Sequence, residues 1–168
     1  MTIRLARPEE FEAVGEITVQ AYLSGRDTEL GDYELTLRDV AGRAADCSVL
    51  VALDDRDEVV GAVTYVPGPD TVMSGFSDSE AAGIRVLAVR PDAQRSGIGR
   101  TLTEACLDQA RADGHPRVIL HSTEAMATAR RLYEKIGFER RPELDEWVTQ
   151  PPYSERQPLR LMAYVFTF

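Results

Sequence analysis

The chain has 168 residues, 43% of them hydrophobic, which suits one globular domain (residues 1–168) around a single core. Its net charge is −9 and its pI about 4.8, which argues against the basic face expected of a nucleic-acid binder. No apolar run approaches a membrane span and Met1-Thr2-Ile3-Arg4 opens no signal-peptide core, so a cytoplasmic protein with no membrane role is expected.

Thr2 to Arg7 alternates and reads as a first strand. Pro8-Glu9-Glu10 then starts a helix, because proline fits the first turn and acids there suit the dipole; Phe11, Val14, Ile17 and Ala21 share one face. A second helix is predicted from about Asp32 to Ala45. Ser48–Leu53 and Glu58–Val66 are β-rich runs joined by Asp54-Asp55-Arg56-Asp57, the pattern of a hairpin. Pro67 to Ser79 is a Gly-, Pro-, Ser- and Asp-rich loop of a length that suits function or mobility.

Ile84–Val89 is strand, and Gly97 to Ala112 is helix, with Ile98, Leu102, Ala105, Cys106 and Gln109 at helical spacing and Gly114 and Pro116 as its stop. Arg117–Ser122 is the next strand. Glu124 to Ile136 is helical, with Ala129, Leu132, Tyr133 and Ile136 on one face and Gly137 as terminator. Phe138–Arg141 and Leu159–Phe168 close the chain as strands, separated by a Pro- and acid-rich loop that holds Trp147 and Tyr153. This order describes a mixed α/β domain with too many adjacent strands for a doubly wound parallel sheet.

The chemistry concentrates at Leu87 to Thr101. There an apolar strand runs through a short loop into Gln94-Arg95-Ser96-Gly97-Ile98-Gly99, which opens a helix. A glycine turn at a helix start points free N–H groups forward, with the positive end of the dipole behind them, and so makes a phosphate site. A side chain at Gly97 or Gly99 would stand between the amides and the anion. A dinucleotide fingerprint fits badly, because its third glycine falls at Leu102. A Walker loop fits badly too, because its first glycine falls at Gln94 and its lysine is absent.

Taken together, Leu87-Ala88-Val89, then Gln94-x-x-Gly97-x-Gly99, then Leu132-Tyr133-Glu134-Lys135-Ile136-Gly137-Phe138 resembles the GNAT family of N-acetyltransferases. The resemblance covers nearly the whole chain in element order. It implies a central, mostly antiparallel mixed sheet flanked by helices, with acetyl-CoA as co-substrate and no metal. It also implies that the N–H groups of Arg95, Ser96, Gly97, Ile98, Gly99, Arg100 and Thr101, with Gln94, hold the pyrophosphate. The edge of Leu87, Ala88 and Val89 would bind the pantetheine arm like an added strand, with one amide near the thioester carbonyl.

In the same resemblance Tyr133 protonates the departing thiolate; the plain alternative is a core aromatic. Met126 stands where many members carry an asparagine seven positions before the tyrosine, and with Ala129 it would form an apolar wall beside the arm. The glutamate that some members use as base falls at Gly83, which leaves Glu80 as first candidate and Asp78 as second, unless both are solvated loop acids. His121, at a strand end, reads more simply as structural than catalytic, and His115, in a turn, as pointing to solvent. Trp147, Tyr153, Asp145 and Glu146 either cage an acceptor ammonium or anchor their loop. Neither Cys47 nor Cys106 belongs to a C-x-x-C unit, so no zinc site or disulfide framework is indicated.

The implied activity is acetyl transfer from acetyl-CoA to a primary amine, of a small molecule in the first instance, by direct attack in a ternary complex. The acid excess points to a cationic acceptor. The alternative is a module that binds acyl-CoA without turning it over. The apolar strand Leu161–Phe168 is either interior or a face for a second subunit, which leaves a homodimer open.

Overall fold

A computed structural model describes residues 1–24, 30–148 and 158–168. The elements are β1 (Thr2–Leu5), α1 (Phe11–Leu23), α2 (Tyr33–Arg38), α3 (Val40–Ala44), β2 (Ser48–Leu53), β3 (Val59–Val66), β4 (Ala81–Val89), α4 (Ile98–Ala112), β5 (Arg117–Ser122), α5 (Ala127–Ile136), β6 (Glu139–Arg140), β7 (Glu146–Val148) and β8 (Leu159–Thr167). The sheet runs β1-β2-β3-β4-β5-β8-β6, and β7 pairs with β8 beside β6. Every pair is antiparallel except β4–β5. This is the mixed, mostly antiparallel sheet expected. β8 has strands on both sides and is therefore interior.

Alternation along the strands divides the core between two faces. On one face Val60, Val63, Tyr65, Ala82, Ile84, Val118 and Leu120 pack against Ile98, Leu102, Cys106 and Leu107 of α4 and Tyr133 of α5. On the other, Val49, Val51, Leu53 and Ala62 meet Val14 of α1 and Val40 of α3. Both layers are closed around one sheet.

Several elements differ from the sequence reading. The predicted helix 32–45 breaks at Asp39, whose backbone leaves helical geometry while its carboxylate accepts a hydrogen bond from the Gly42 N–H and starts α3. Helix α5 begins at Ala127 because Met126 is non-helical (φ −89°, ψ 48°). The loop before the last strand contains β7, which the three residues Glu-Trp-Val were too short to announce. Tyr153 lies outside the described residues.

Candidate active site

The site starts from an irregularity in β4. Ala62 pairs with Ala88 but Thr64 pairs with Arg85, so β4 carries one extra residue, with Val86 at φ +51°. Positive φ is strained for a β-branched residue, and such strain gathers where function needs a particular backbone. The bulge shifts the alternation: Ala82 and Ile84 face α4, Val86 turns to Val19, Leu30 and Leu37 on the opposite face, and Leu87 and Val89 face α4 again.

The same point is where β4 leaves β5. Pairing runs from Ala81↔Arg117 to Ile84↔Leu120 and stops. From Arg85 onward β4 is paired on its β3 side alone. The Arg90 N–H bonds Val60 O, so strand alternation turns the backbone groups of Val89, and of Leu87 before it, toward the opened edge. The Val89 carbonyl accepts there from Gln94 Nε2 (3.2 Å). The result is an unpaired strip of strand leading to the glycine turn.

That turn takes up positive φ at Arg95 (+65°) and at Gly97 (+89°), the N-cap of α4. Ser96 Oγ donates to Ala93 O and ties the loop shut. Thr101 N–H is the first to close on the helix, onto Gly97 O, which leaves the N–H groups of Ile98, Gly99 and Arg100 without intrahelical partners. A Cβ added at Gly97 would meet nothing within 4 Å, so the space before these amides is open. A Cβ at Gly99 would lie 3.4 Å from Leu132, 3.7 Å from Val89 and 3.9 Å from Leu87, so the turn, the opened edge and α5 converge there. Leu87, Val89, Gly99 and Leu132 thus lie together.

Tyr133 reaches this region from α5. It is 5% exposed, with its ring edge-on to Phe138 (5.8 Å) and tilted against Tyr164 (6.5 Å). Burial pushes its phenol well above the ordinary value, so it stays protonated. Its hydroxyl has no hydrogen-bond partner among the described residues, although buried tyrosines usually find one. Ala129 packs against the same core, and Met126 sits half-buried at the start of α5.

Glu80 is not brought to this place. It precedes β4 by one residue and pairs with Arg117 (2.9 Å), as Asp78 does through two hydrogen bonds. Leu87 lies seven positions further along the chain, roughly 20 Å of extended strand. At Gly83 a Cβ would lie 2.6 Å from Phe76, so no glutamate fits that position without rearrangement. Asp145, 6% exposed, is taken up by Arg140, Arg160 and the Ala163 N–H. Trp147 carries the Arg160 guanidinium 6.0 Å above its ring, which occupies the face offered for an acceptor ammonium.

A cleft of about 270 Å³ opens on the face away from α4, lined in part by Phe76, Asp78, Ile119, His121, Leu144 and Glu146. The loop that leads into its wall at Gly75 is held by Arg85, whose guanidinium donates to Met73 O and Ser74 O. Gly75 (φ +56°) lies so close that a Cβ would be 2.0 Å from Arg85 Nη2. Gly75→Ala is therefore expected to cost about 1–3 kcal/mol in thermal or denaturant unfolding. Unchanged stability would mean that Arg85 does not hold the loop. His121 is the residue here that sequence reasoning undervalued; a histidine ending a strand carries no local signal of what it faces.

Residues 11–138 match the acetyltransferase (GNAT) family. The chain belongs to that family. A mycothiol acetyltransferase of Beutenbergia cavernae is 40% identical over 85 residues, 51% of this chain and 26% of that one. The chain thus spans about a quarter of the length of that relative. A ribosomal-protein-alanine N-acetyltransferase from Brucella melitensis superposes with TM-score 0.71 at 26% identity over the full length of both chains. A GNAT phosphinothricin acetyltransferase from Sinorhizobium meliloti, solved with acetyl-CoA, has the same fold (TM-score 0.70, 20% identity, 99% of this chain and 87% of that one). Among the described residues no helix is long and apolar enough to cross a membrane.

Proposed function

We propose that this GNAT chain transfers the acetyl group of acetyl-CoA to a primary amine by direct attack in a ternary complex. The observation that carries the reading is the unpaired edge of β4 running into an open cradle of helix-start amides, with the buried Tyr133 phenol, which has no hydrogen-bond partner among the described residues, packed in the same core. The residues fit acetyl-CoA. The free amides of Ile98, Gly99 and Arg100 suit a pyrophosphate. The edge at Leu87 and Val89 suits an amide-bearing arm laid down as a strand. An N–H held at Leu87 stabilises charge developing on the thioester oxygen, usually a large catalytic effect. Tyr133 holds a proton for the departing sulfur.

Direct attack is supported by the thiols. Burial pushes Cys47 up to about 11, and Cys106, fully buried, higher still, so neither is a nucleophile at neutral pH. A small-molecule acceptor is supported by the size of the cleft and by the mycothiol acetyltransferase relatives. Of the acids lining it, Asp78 and Asp145 are already paired with arginines, while Glu146 has no ion-pair partner among the described residues.

Thiol release from acetyl-CoA, followed with and without ethylamine, phenethylamine, amino acids and alanine-led tripeptides, tests the reading. Release that depends on an amine is expected. Acetyl-CoA binding with no release under any amine would favour a binding module instead. Within the same reading, Gly97→Val is expected to weaken acetyl-CoA binding at least about tenfold by calorimetry, because it opposes positive φ and screens the amides. Wild-type affinity in that variant would move the pyrophosphate elsewhere.

A further inference from the structure

His121 is the first residue of β5 beyond its last pairing with β4, so it stands at the mouth of the gap between the strands. Strand alternation places it with Ile119 on the face away from α4, where it lines the cleft. Its Nε2 lies 3.4 Å from Leu144 O. A carbonyl only accepts, so that nitrogen carries the hydrogen and Nδ1 holds a lone pair. Nδ1 is buried and has no partner among the described residues. Buried polar atoms are nearly always satisfied, and one left open beside a cleft suits a donor arriving from outside.

We propose that His121 Nδ1 receives the proton of the acceptor amine as it is acetylated, an inference that rests on the acetyltransferase reading above. The amine approaches through the cleft and its nitrogen forms a bond to the acetyl carbon. That nitrogen becomes acidic only as the bond forms, and its proton passes to Nδ1. The C–S bond breaks, and the sulfur takes the proton of Tyr133. The imidazolium then loses its proton to water, and the phenolate regains one. Burial, Arg85 and Arg140 oppose a charge on the ring while Leu144 O and Asp145 favour one, so the imidazole is neutral and ready before the amine arrives. A weak base serves here because the proton it takes is released only during attack.

The test compares His121→Gln and His121→Phe with wild type, using whichever amine of the panel above supports release. Glutamine still accepts a hydrogen bond but takes no proton. Both variants are expected to lose about 100-fold in kcat, with calorimetric acetyl-CoA affinity unchanged. A glutamine variant that keeps wild-type kcat overturns the inference and leaves the acetyltransferase reading standing. If wild type releases no thiol with any amine, that reading falls and this inference with it. Nitrogen NMR of histidine-labelled wild type gives a second check that needs no variant, since the chain has two histidines, His115 and His121. An Nε2–H tautomer of His121 agrees with the proposal; an Nδ1–H tautomer overturns it.

Discussion

Tyr133→Phe is expected to lower kcat about 100-fold while acetyl-CoA affinity stays within about twofold. The substitution removes one hydroxyl and keeps the ring, so the edge contact to Phe138 and the tilted contact to Tyr164 survive. That hydroxyl binds nothing among the described residues, so its loss leaves none of them with an unsatisfied partner. Burial keeps the phenol protonated, as a proton donor at the end of a C–S cleavage must be. If the variant turns over like wild type, Tyr133 is a core aromatic and the thiolate leaves by another route.

Asp145→Ala is expected to cost about 3 kcal/mol of stability in denaturant unfolding. The carboxylate holds three partners on two strands: Arg140 of β6 (2.5 Å), and Arg160 (2.6 Å) and the Ala163 N–H (2.9 Å) of β8. Burial raises its pKa, but the hydrogen bonds from Arg140, Ala163 and Arg160 outweigh burial and bring it to about 2. Its contribution is therefore full above the unfolded value of about 3.9 and drains away as pH falls toward 2. His121 adds an earlier acid sensitivity. Burial brings it down to about 4, so the unfolded chain binds its proton first and stability falls as pH drops from about 6.5. Stability measured from pH 7 to 3 should slope downward in wild type and flatten above pH about 4 in His121→Gln. A wild-type curve that is level over that interval would contradict the buried, neutral imidazole.

The cradle was readable in the sequence because its requirements are local. A strand, a glycine turn and an amphipathic helix follow each other within Leu87–Ala112, and each announces itself through residue type. Tyr133 was readable for the same reason, from the apolar stripe of α5. The bulge was not: Ile84 to Val89 shows nothing to mark Val86 as the residue that turns aside, because the extra residue is defined only by its register against β3. Glu80 was misplaced for a related reason. Its partner Arg117 is 37 residues away, and only the parallel pairing of β4 with β5 brings them together. The break at Asp39 reflects a side-chain cap, local in chemistry but invisible to helical periodicity.

His121 shows the remaining gap between sequence and site. A histidine at a strand end is ordinary; its interest comes from where β5 stops pairing, from Leu144 fixing its tautomer, and from a cleft lined by Gly75 in the loop that Arg85 holds. None of these neighbours is close in sequence except Ile119 and Leu120. The acids of the last loop were misread in the opposite direction, since Asp145 looked free and is held by two arginines.

The most direct test is to follow the acetyl group itself. The protein is incubated with acetyl-CoA labelled in its acetyl group and with the amine panel, and every species is then weighed by mass spectrometry. Label is expected on the nitrogen of an amine, none on the protein, and free CoA in equal amount. Label on Cys47 or Cys106 would contradict direct attack, and label that stays on CoA with every amine would contradict the transferase.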